Sequence, residues 1–356
     1  MSPPPRIVVG LSGGVDSSVA AALLVEQGYE VIGVTLHLAG SGSRCCSLED
    51  ADDARRVAER LGIRFYVVNQ QEAFRRDVIE PFADAYLAGE TPLPCVACNR
   101  GFKFGTLRAR ARALGAEAVA TGHYARIAVD PATGERHLLR ARDAAKDQSY
   151  FLFDLAQEQL ADARFPLGEL TKDEVRARAR ALGLATADKP ESQEICFVPD
   201  GDYARVVEAL RPDAAPGAGD IVDGEGRVLG RHGGIHRFTV GQRRGLGLSS
   251  AERLYVRSLD APRNRVVVGT DAELAVRGAR LRGVRWIGAR PEGSVTAAVR
   301  IRYRHPGAVA RIEPGTDGGA DVWFDAPVAA VAPGQAAVFY AGDRVLGGGW
   351  IAAAHA

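Results

Sequence analysis

Short aliphatic runs alternate with amphipathic stretches over the first half of the chain. The runs predict strands, and the stretches between them predict helices. Regular alternation at this spacing favours a parallel, doubly wound α/β sheet whose ligand binds at the carboxyl ends of the strands. The predicted strands cover residues 7–9, 31–36, 65–68 and 118–121, and the predicted helices begin at Ser17 or cover 49–61, 73–87, 102–114 and 147–182, the last with a capping box from Thr171 to Glu174.

The pattern changes beyond Pro199, and short alternating runs separated by glycine and proline follow. The turn-rich sequence PDAAPGAG at 212–219 marks a boundary. Many short strands with such turns indicate one or two small β modules, the last of which resembles a closed barrel. The sequence therefore predicts an α/β domain over residues 1–211, a small β-rich central domain over 212–275 and a C-terminal β-barrel over 276–356.

Composition excludes some classes of protein. A net charge of +1 over 356 residues gives no global basic field, although basic residues could be concentrated on one face. The N-terminus MSPPPR has no apolar signal core and no apolar run reaches membrane-spanning length, so we expect a cytoplasmic protein with no membrane partner. Five cysteines, two of them adjacent, fit neither a disulfide framework nor a regular zinc site, and they suggest reactive or cluster-binding thiols in a reducing compartment.

The loop after the first predicted strand, LSGGVDSS, combines glycines and hydroxyls and leads into a helix. Backbone N–H groups and a helix N-terminus in this layout bind phosphate, and glycine allows close approach. No lysine follows the glycines, so the loop differs from the Walker type and offers donors without a cation. Asp16 would repel phosphates unless a divalent cation lay between them, which makes it a candidate Mg²⁺ contact; an ordinary acidic residue at a helix start is the alternative.

This loop resembles the signature of the PP-loop ATP pyrophosphatases, whose fold is that of the adenine nucleotide α-hydrolases. Enzymes of that superfamily cleave ATP between the α and β phosphates and adenylate a substrate. The resemblance implies that ATP is bound and cleaved to AMP and pyrophosphate.

Two further segments carry thiols. In PLPCVACNR, Cys95 and Cys98 lie between a proline-rich turn and a helix predicted to begin near Arg100, and this helix start with Lys103 nearby is expected to favour the thiolate. That arrangement suits sulfur chemistry or metal binding; two small buried residues are the alternative, and a thioredoxin-like pair is disfavoured by the surrounding pattern. Cys196 is predicted to lie in a loop, and such a lone cysteine is more often a buried apolar residue than a nucleophile.

Seven segments occur in the same order as in the tRNA-specific 2-thiouridylases, from about Ile7 to Ile351. They are SGGVDSS, TPLPCVACNRGFKF, ATGHYARI, AAKDQSYFLF, SQEICFV, FTVGQRRGLGL and PGQAAVFY. The resemblance implies a tRNA uridine 2-sulfurtransferase, in which ATP activates the C2 oxygen of the wobble uridine and a persulfide sulfur replaces it. A PP-loop ligase acting on a small metabolite and a non-enzymatic nucleotide-sensing or RNA-binding module are the alternatives.

The resemblance also implies roles for individual residues. Cys196 matches the persulfide-bearing cysteine. Cys98 matches the second cysteine, a nucleophile proposed either to release the sulfur by forming a disulfide with Cys196 or to act on the intermediate. The ATP-binding residues that it implies are Gly10, Leu11, Ser12, Gly13, Gly14, Val15, Asp16, Ser17, Leu36 and Gly122. The tRNA contacts that it implies are His123, Lys146, Asp147, Gln148, Arg302, Tyr303 and Gln335, with Arg302 and Tyr303 placed on a strand by their alternating sequence RIRYRH.

Cys95 departs from the family pattern, because some members have aspartate there. If Cys95, Cys98 and Cys196 converge, three thiolates could hold an iron–sulfur cluster with one iron open for sulfide, an alternative to the persulfide route. The implied partners are tRNAs for Lys, Glu and Gln and a sulfur donor, either a cysteine desulfurase or a carrier protein. Cys45 and Cys46 lie in an acidic run that disfavours a thiolate and are interpreted as the exposed start of a helix.

Overall fold

A computed structural model describes residues 3–40, 48–190, 195–198 and 200–355, without the side chain of Leu48. Cys45 and Cys46 lie outside these residues. The chain forms two compact units, each made of several stretches, and the predicted divisions after residues 211 and 275 stay predictions. The first unit comprises Met1–Ile79, Pro94–Gly201 and Asp343–Val345, and the second comprises Glu80–Leu93, Asp202–Gly342 and Leu346–Ala356.

The first unit is built on a parallel five-stranded sheet with the order β3-β2-β1-β4-β7. Ile7, Val8 and Val9 of the central strand are fully buried, which explains an unbroken apolar run where a half-exposed strand would alternate. The predicted doubly wound α/β class is confirmed. The strands of this unit are β1 (Arg6–Gly10), β2 (Glu30–His37), β3 (Arg64–Asn69), β4 (Ala118–Ala120), the antiparallel hairpin β5 (Arg126–Val129) and β6 (Arg136–Leu139), and β7 (Ala163–Arg164).

The helices differ from the sequence prediction over residues 147–182. Residues 147–182 are not one helical stretch, because turns and β7 separate their short helices. The capping box from Thr171 to Glu174 does form, and it begins α8. The helices along the chain are α1 (Val15–Glu26), α2 (Leu48–Leu61), α3 (Gln71–Phe74), α4 (Glu80–Leu87, in the second unit), α5 (Pro94–Cys98), α6 (Leu107–Ala113), α7 (Gln157–Asp162), α8 (Lys172–Ala181) and α9 (Tyr203–Leu210, in the second unit), with π-helical turns at Arg75–Ile79 and Asn99–Thr106 and 3₁₀ turns at Ser149–Phe151, Ile235–Arg237, Ala261–Arg263 and Ala272–Leu274.

The second unit contains a four-stranded sheet and a closed barrel. The sheet has the order β10-β11-β8-β9, and the barrel has the order β12-β15-β14-β13-β16-β17, closed by pairing of β12 with β17. Val299, Ile312, Val322 and Phe339 fill the barrel interior and are fully buried. The strands are β8 (Gly219–Val222), β9 (Val228–His232), β10 (Tyr255–Asp260), β11 (Arg265–Gly269), β12 (Ala275–Trp286), β13 (Val295–Arg300), β14 (Ala308–Pro314), β15 (Ala320–Ala329), β16 (Ala336–Ala341) and β17 (Arg344–His355).

The predicted closed barrel is therefore confirmed, but the strand predicted to include Arg302 and Tyr303 is shorter than expected. β13 ends at Arg300, so Arg302 and Tyr303 lie in a turn and not on a strand. Among the described residues, every helix is too short or too polar to span a bilayer.

Candidate functional site

The loop between β1 and α1 is fixed by bonds between its own side chains and main chain. Ser17 Oγ donates to the Gly14 carbonyl at 3.1 Å and accepts from the Ser12 N–H at 3.1 Å, and Ser18 Oγ also donates to the Gly14 carbonyl, at 2.8 Å. Gly13 has φ +67°, and a Cβ there would lie 2.3 Å from the Asp50 carbonyl oxygen. The loop therefore has a defined shape, and Gly13 is required both by its φ and by its contact with α2.

Gly122 joins this loop from a neighbouring strand. β4 pairs with β1 so that Ala120 lies opposite Val9, which brings Gly122 to the same edge of the sheet. A Cβ on Gly122 would lie 2.6 Å from the Ser17 nitrogen, so no side chain fits between this backbone and the start of α1. Leu36 is buried near the end of β2, which pairs with β1 on its other side. The predicted ATP residues thus converge at the carboxyl edge of three adjacent strands.

Asp16 has a cationic partner that lies far away in sequence. Lys172 Nζ, at the start of α8, donates to both carboxylate oxygens of Asp16 at 2.8 Å, and the Tyr124 hydroxyl donates to one of them at 2.8 Å. Lys172 is buried. The loop itself contains no lysine, and the cation beside Asp16 comes from another element, α8. The Asp16 carboxylate therefore has a protein cation beside it, and an Mg²⁺ contact at Asp16 stays a prediction.

A second lysine holds the other side of the loop. Lys189 Nζ donates to the Gly13 carbonyl at 3.1 Å, to Asp50 at 2.8 Å and to Asp53 at 2.7 Å. Burial alone would lower the pKa of Lys189, but the hydrogen bonds to the two carboxylates outweigh it and raise the pKa above its ordinary value. This ammonium therefore stays protonated at neutral pH.

Sequence reasoning missed both lysines, although the composition contains a signal. The chain has four lysines against 41 arginines, at positions 103, 146, 172 and 189. Lysine and arginine are not interchangeable where a point-like ammonium is needed, so the few lysines of an arginine-rich chain are candidates for such positions.

The thiol segments come together around Phe74. Its ring lies 5.3 Å from that of Phe102, four residues after Cys98, and 6.0 Å from that of Phe197, which follows Cys196. These are edge-to-face contacts in which the rings pack closely. The structure therefore brings the segments that carry Cys98 and Cys196 together, although 97 residues separate the two cysteines in the sequence.

The helix that carries the first two thiols begins earlier than predicted. It begins at Pro94, because proline suits a first helical position, and not near Arg100. Cys95 is consequently in the first turn and exposed, whereas Cys98 is buried at the end of α5 and Cys196 is half-buried; all three are thiols. Within the described ranges, no three histidine, cysteine, aspartate or glutamate side chains are grouped so that they could hold a metal ion.

His123 is buried beside the loop. Its Nδ1 lies 2.8 Å from Thr121 Oγ1, and its Nε2 lies 3.4 Å from Lys103 Nζ. Burial, together with the positive charge of Lys103, holds the pKa of His123 well below its ordinary value, so the ring is neutral. A buried neutral ring leaves little surface for an incoming phosphate.

Three other predicted tRNA contacts lie between β6 and α7. Asp147 is buried and accepts from the main-chain N–H of Ala141 at 3.2 Å and of Ser149 at 3.1 Å. Gln148 Oε1 accepts from the Tyr124 N–H at 2.9 Å, and Lys146 is half-buried. Gln148 thus holds the main chain at Tyr124, the residue that contacts Asp16, and Asp147 holds the chain at Ala141 and Ser149.

In the second unit, the predicted tRNA contacts differ in exposure. Arg302 is exposed, and Tyr303 is half-buried with the Arg300 guanidinium 5.9 Å from its ring centre. Gln335 Nε2 donates to the Thr91 carbonyl at 3.0 Å. Arg302 is therefore the most accessible of the three side chains.

These features define a class: an α/β protein with a glycine- and serine-rich loop at the end of its first strand, followed by two β modules. Family models match it in three places, a tRNA methyl transferase HUP domain over residues 5–200, a tRNA methyl transferase PRC-barrel domain over 208–270 and an aminomethyltransferase β-barrel domain over 276–351.

Curated relatives match over nearly the full length of both chains, and they indicate a particular family within this class. A protein of Geotalea uraniireducens named tRNA-specific 2-thiouridylase MnmA is 52% identical over 97% of this chain and 94% of its own. One of the same name in Rhodospirillum rubrum is 54% identical over 99% and 98%. The chain belongs to the tRNA-specific 2-thiouridylase family. A solved 4-thiouridine synthetase–RNA complex with bound ATP matches 59% of this chain and 51% of that chain at 20% identity and a TM-score of 0.40, too low to inform function.

Proposed function

We propose that the protein is a tRNA uridine 2-sulfurtransferase that uses ATP to convert the wobble uridine to 2-thiouridine. The observation that carries the proposal is the contact of Phe74 with both Phe102 and Phe197, which gathers two thiol segments in the unit that also bears the nucleotide loop. An activating site and a sulfur-delivering site in one unit are what the reaction requires, because the carbonyl oxygen must become a leaving group before sulfur can replace it.

The first step activates the base. The C2 oxygen of uridine attacks the α phosphate of MgATP, an O–P bond forms, and pyrophosphate leaves with the electrons of the broken bond. Negative charge grows on the departing pyrophosphate, and preorganised backbone donors of residues 10–17 and the Lys172 ammonium are suited to stabilise it. The metal arrives with the nucleotide; Asp16 is already paired with Lys172, so no step is assigned to an ion on that carboxylate.

The second step delivers sulfur. The outer sulfur of a persulfide on Cys196 adds to C2, AMP leaves, and the base is joined to Cys196 through two sulfur atoms. The Cys98 thiolate then attacks the Cys196 sulfur, which releases 2-thiouridine and forms a Cys98–Cys196 disulfide. A dithiol reductant must reduce this disulfide before the next cycle, and both cysteines are thiols in the structure.

An iron–sulfur cluster on Cys95, Cys98 and Cys196 is the second route. The described side chains do not fit it as they stand, since these three thiols do not form a metal-holding group and Cys95 is exposed while Cys98 is buried. Anaerobic reconstitution followed by iron analysis and absorption spectroscopy tests this route. If activity rises in proportion to the bound iron, the cluster route replaces the persulfide route. Full activity of an iron-free protein supports the persulfide route.

The proposed partners are tRNAs for Lys, Glu and Gln and a sulfur donor, a cysteine desulfurase acting directly or through a carrier, in the cytoplasm. Support for RNA comes from the curated relatives named as tRNA-specific enzymes. The wobble base must leave its stack to be adenylated, so part of the binding free energy offsets unstacking. Exposed Arg302 is suited to a backbone phosphate, and Tyr303, Gln335, His123, Lys146, Asp147 and Gln148 stay predicted contacts.

Formation of AMP in the presence and absence of tRNA separates this function from the alternatives. A tRNA sulfurtransferase forms AMP and pyrophosphate faster when unmodified tRNA with a wobble uridine is added. A small-molecule ligase would ignore tRNA, and a nucleotide sensor would bind ATP without turnover. Transcripts that differ only by cytidine at the wobble position are the matched control.

A further inference from the structure

Lys189 is the residue near the loop that the proposed chemistry leaves without a role. It is one of only four lysines in the chain, and all four lie in the first unit. Its ammonium has three N–H donors, and three oxygen acceptors lie within 3.1 Å of it. One acceptor belongs to the nucleotide loop, and the other two belong to α2.

The contact with the Gly13 carbonyl fixes more than one atom. The carbonyl of Gly13 and the N–H of Gly14 belong to one planar, trans peptide, so the two groups point in opposite directions. A lysine that holds the oxygen therefore sets the direction of the Gly14 N–H. That N–H is one of the donors the loop offers to phosphate, and its direction decides whether it can meet the nucleotide.

Lys189 also begins the segment that carries the sulfur-bearing cysteine. Cys196 lies seven residues further along the chain, and the next residue, Phe197, packs on Phe74 with ring centres 6.0 Å apart. On either side of Cys196 along the chain, Lys189 thus makes an ionic contact with the loop, and Phe197 makes an aromatic contact near the Cys98 helix.

We propose that Lys189 is a positioning residue that couples the two halves of the site: it orients the Gly13–Gly14 peptide toward the nucleotide and keeps the Cys196 segment attached to that loop. The proposal rests on the proposed function for the roles of ATP and Cys196. The proposal implies that nucleotide binding at the loop changes the reactivity of Cys196, because movement of the Gly13 carbonyl would move Lys189.

The chemistry of the contact explains why this position is a lysine. A tetrahedral ammonium donates to three acceptors from a single atom, whereas a guanidinium is planar and spreads its donors over a fork. Arginine at position 189 would retain the positive charge beside Asp50 and Asp53. It would not direct one N–H donor at each of the three oxygens. If Lys189 is a positioning residue, Lys189→Arg should not restore ATP binding and the response at Cys196. If its role is purely electrostatic, Lys189→Arg should restore both.

The test compares the full-length protein with Lys189→Met, Lys189→Arg and Asp53→Asn. Two quantities are measured: ATP affinity, by equilibrium dialysis with labelled ATP and Mg²⁺, and the rate at which iodoacetamide alkylates Cys196, by peptide mass spectrometry with and without ATP. Asp188→Asn is the matched control, because Asp188 is adjacent in sequence and exposed, and its partner is Arg180 at 3.2 Å.

We expect ATP to change the alkylation rate of Cys196 in the unmodified protein and in Asp188→Asn. Lys189→Met and Lys189→Arg should each lose about tenfold in ATP affinity, the scale of one well-oriented hydrogen bond to a charged group, and ATP should no longer change their alkylation rate. Asp53→Asn retains the ammonium, the Gly13 and Asp50 acceptors and a neutral amide oxygen in place of the second carboxylate, so it should show a smaller loss in the same direction. Thermal melting of each variant confirms that it is folded.

Two results would overturn the proposal. One is a Lys189→Arg protein that binds ATP and responds at Cys196 like the unmodified protein, since charge alone would then suffice. The other is an alkylation rate that ATP does not change in the unmodified protein. Because neither measurement uses tRNA or a sulfur donor, a protein that passes both and yet fails to thiolate tRNA contradicts the proposed function and not the role of Lys189.

Discussion

The two units hold their cationic side chains in different ways. In the first, Lys172 and Lys189 place single ammonium groups on carboxylate and carbonyl oxygens at 2.7 to 3.1 Å. In the second, every Lys/Arg position is arginine, and arginines such as Arg302 are exposed. Point donors that are buried, like Lys172, or half-buried, like Lys189, fix geometry, whereas exposed charges add small, salt-screened contributions. Substitutions in the first unit should therefore affect chemistry, and those in the second should affect affinity for a polyanion.

Among the substitutions that test this comparison, Lys172→Met in the first unit should have the largest effect on activity. Removal of the ammonium leaves the Asp16 carboxylate uncompensated beside the phosphates and removes a cation from the departing pyrophosphate, so tRNA-dependent AMP formation should fall about a hundredfold or more. A quenched-flow measurement of AMP gives the rate. Arg178→Met, on the same helix with an exposed partner in Glu26, should retain it. Near-normal AMP formation by Lys172→Met would contradict the claim that cationic side chains of the first unit act in the chemistry.

Gly122→Ala tests whether the backbone around the loop is as constrained as its side chains. The added methyl would lie 2.6 Å from the Ser17 nitrogen and 2.7 Å from the Asp16 carbonyl carbon, so the start of α1 must move. The KM for ATP should rise about tenfold, because displaced N–H donors meet the phosphates poorly. Gly293→Ala, where a Cβ meets no atom within 4 Å, is the control. An unchanged KM would show that the loop tolerates displacement.

Arg302→Met examines the second unit and should have a smaller effect. An exposed guanidinium that contacts one tRNA phosphate contributes a fewfold to affinity, so we expect about a threefold increase in the Kd for tRNA with AMP formation at saturating tRNA unchanged. The slope of log Kd against log salt should fall by about one unit. Filter binding at several salt concentrations measures both values. Arg311→Met, whose guanidinium pairs with Glu313, should leave the slope as it is.

The smallest effect concerns the pH dependence of stability. Burial holds the pKa of His123 well below 6.5 in the folded protein, so the unfolded chain takes up a proton first as the pH falls. Stability from this residue is fully present above pH 6.5 and is lost as the pH falls toward the folded-state pKa, with a slope of at most about 1.4 kcal/mol per pH unit. Urea unfolding between pH 5 and 7 should show a shallower acid dependence for His123→Gln. Parallel curves would show that His123 titrates normally.

The sequence predicted the local part of the fold and of the site. The buried strands and the loop from Gly10 to Ser17 are contiguous segments whose apolar runs and glycines signal their structure directly. The start of the cysteine helix was misplaced, because Pro94 was taken as part of a turn although proline also suits the first turn of a helix. Patterns that have two physical meanings cannot be resolved without the packing around them.

The partners of Asp16 and Gly13 could not be predicted in the same way. Lys172 and Lys189 lie 156 and 176 residues away, and nothing in their local sequence indicates a phosphate loop. Contacts of this kind depend on how α8 and the segment after it return to the edge of the sheet. The rarity of lysine was the available signal, and it indicates which residues to examine without indicating what they contact.

Mass spectrometry of tRNA nucleosides tests the central claim most directly. Unmodified tRNA is incubated with the protein, MgATP and a persulfide source, and parallel reactions contain Cys196→Ser or omit ATP. We expect 2-thiouridine at the wobble position only with the unmodified protein and ATP, while Cys196→Ser still binds tRNA and ATP. Thiouridine formed by Cys196→Ser at the unmodified rate, or none formed by the unmodified protein, would contradict it.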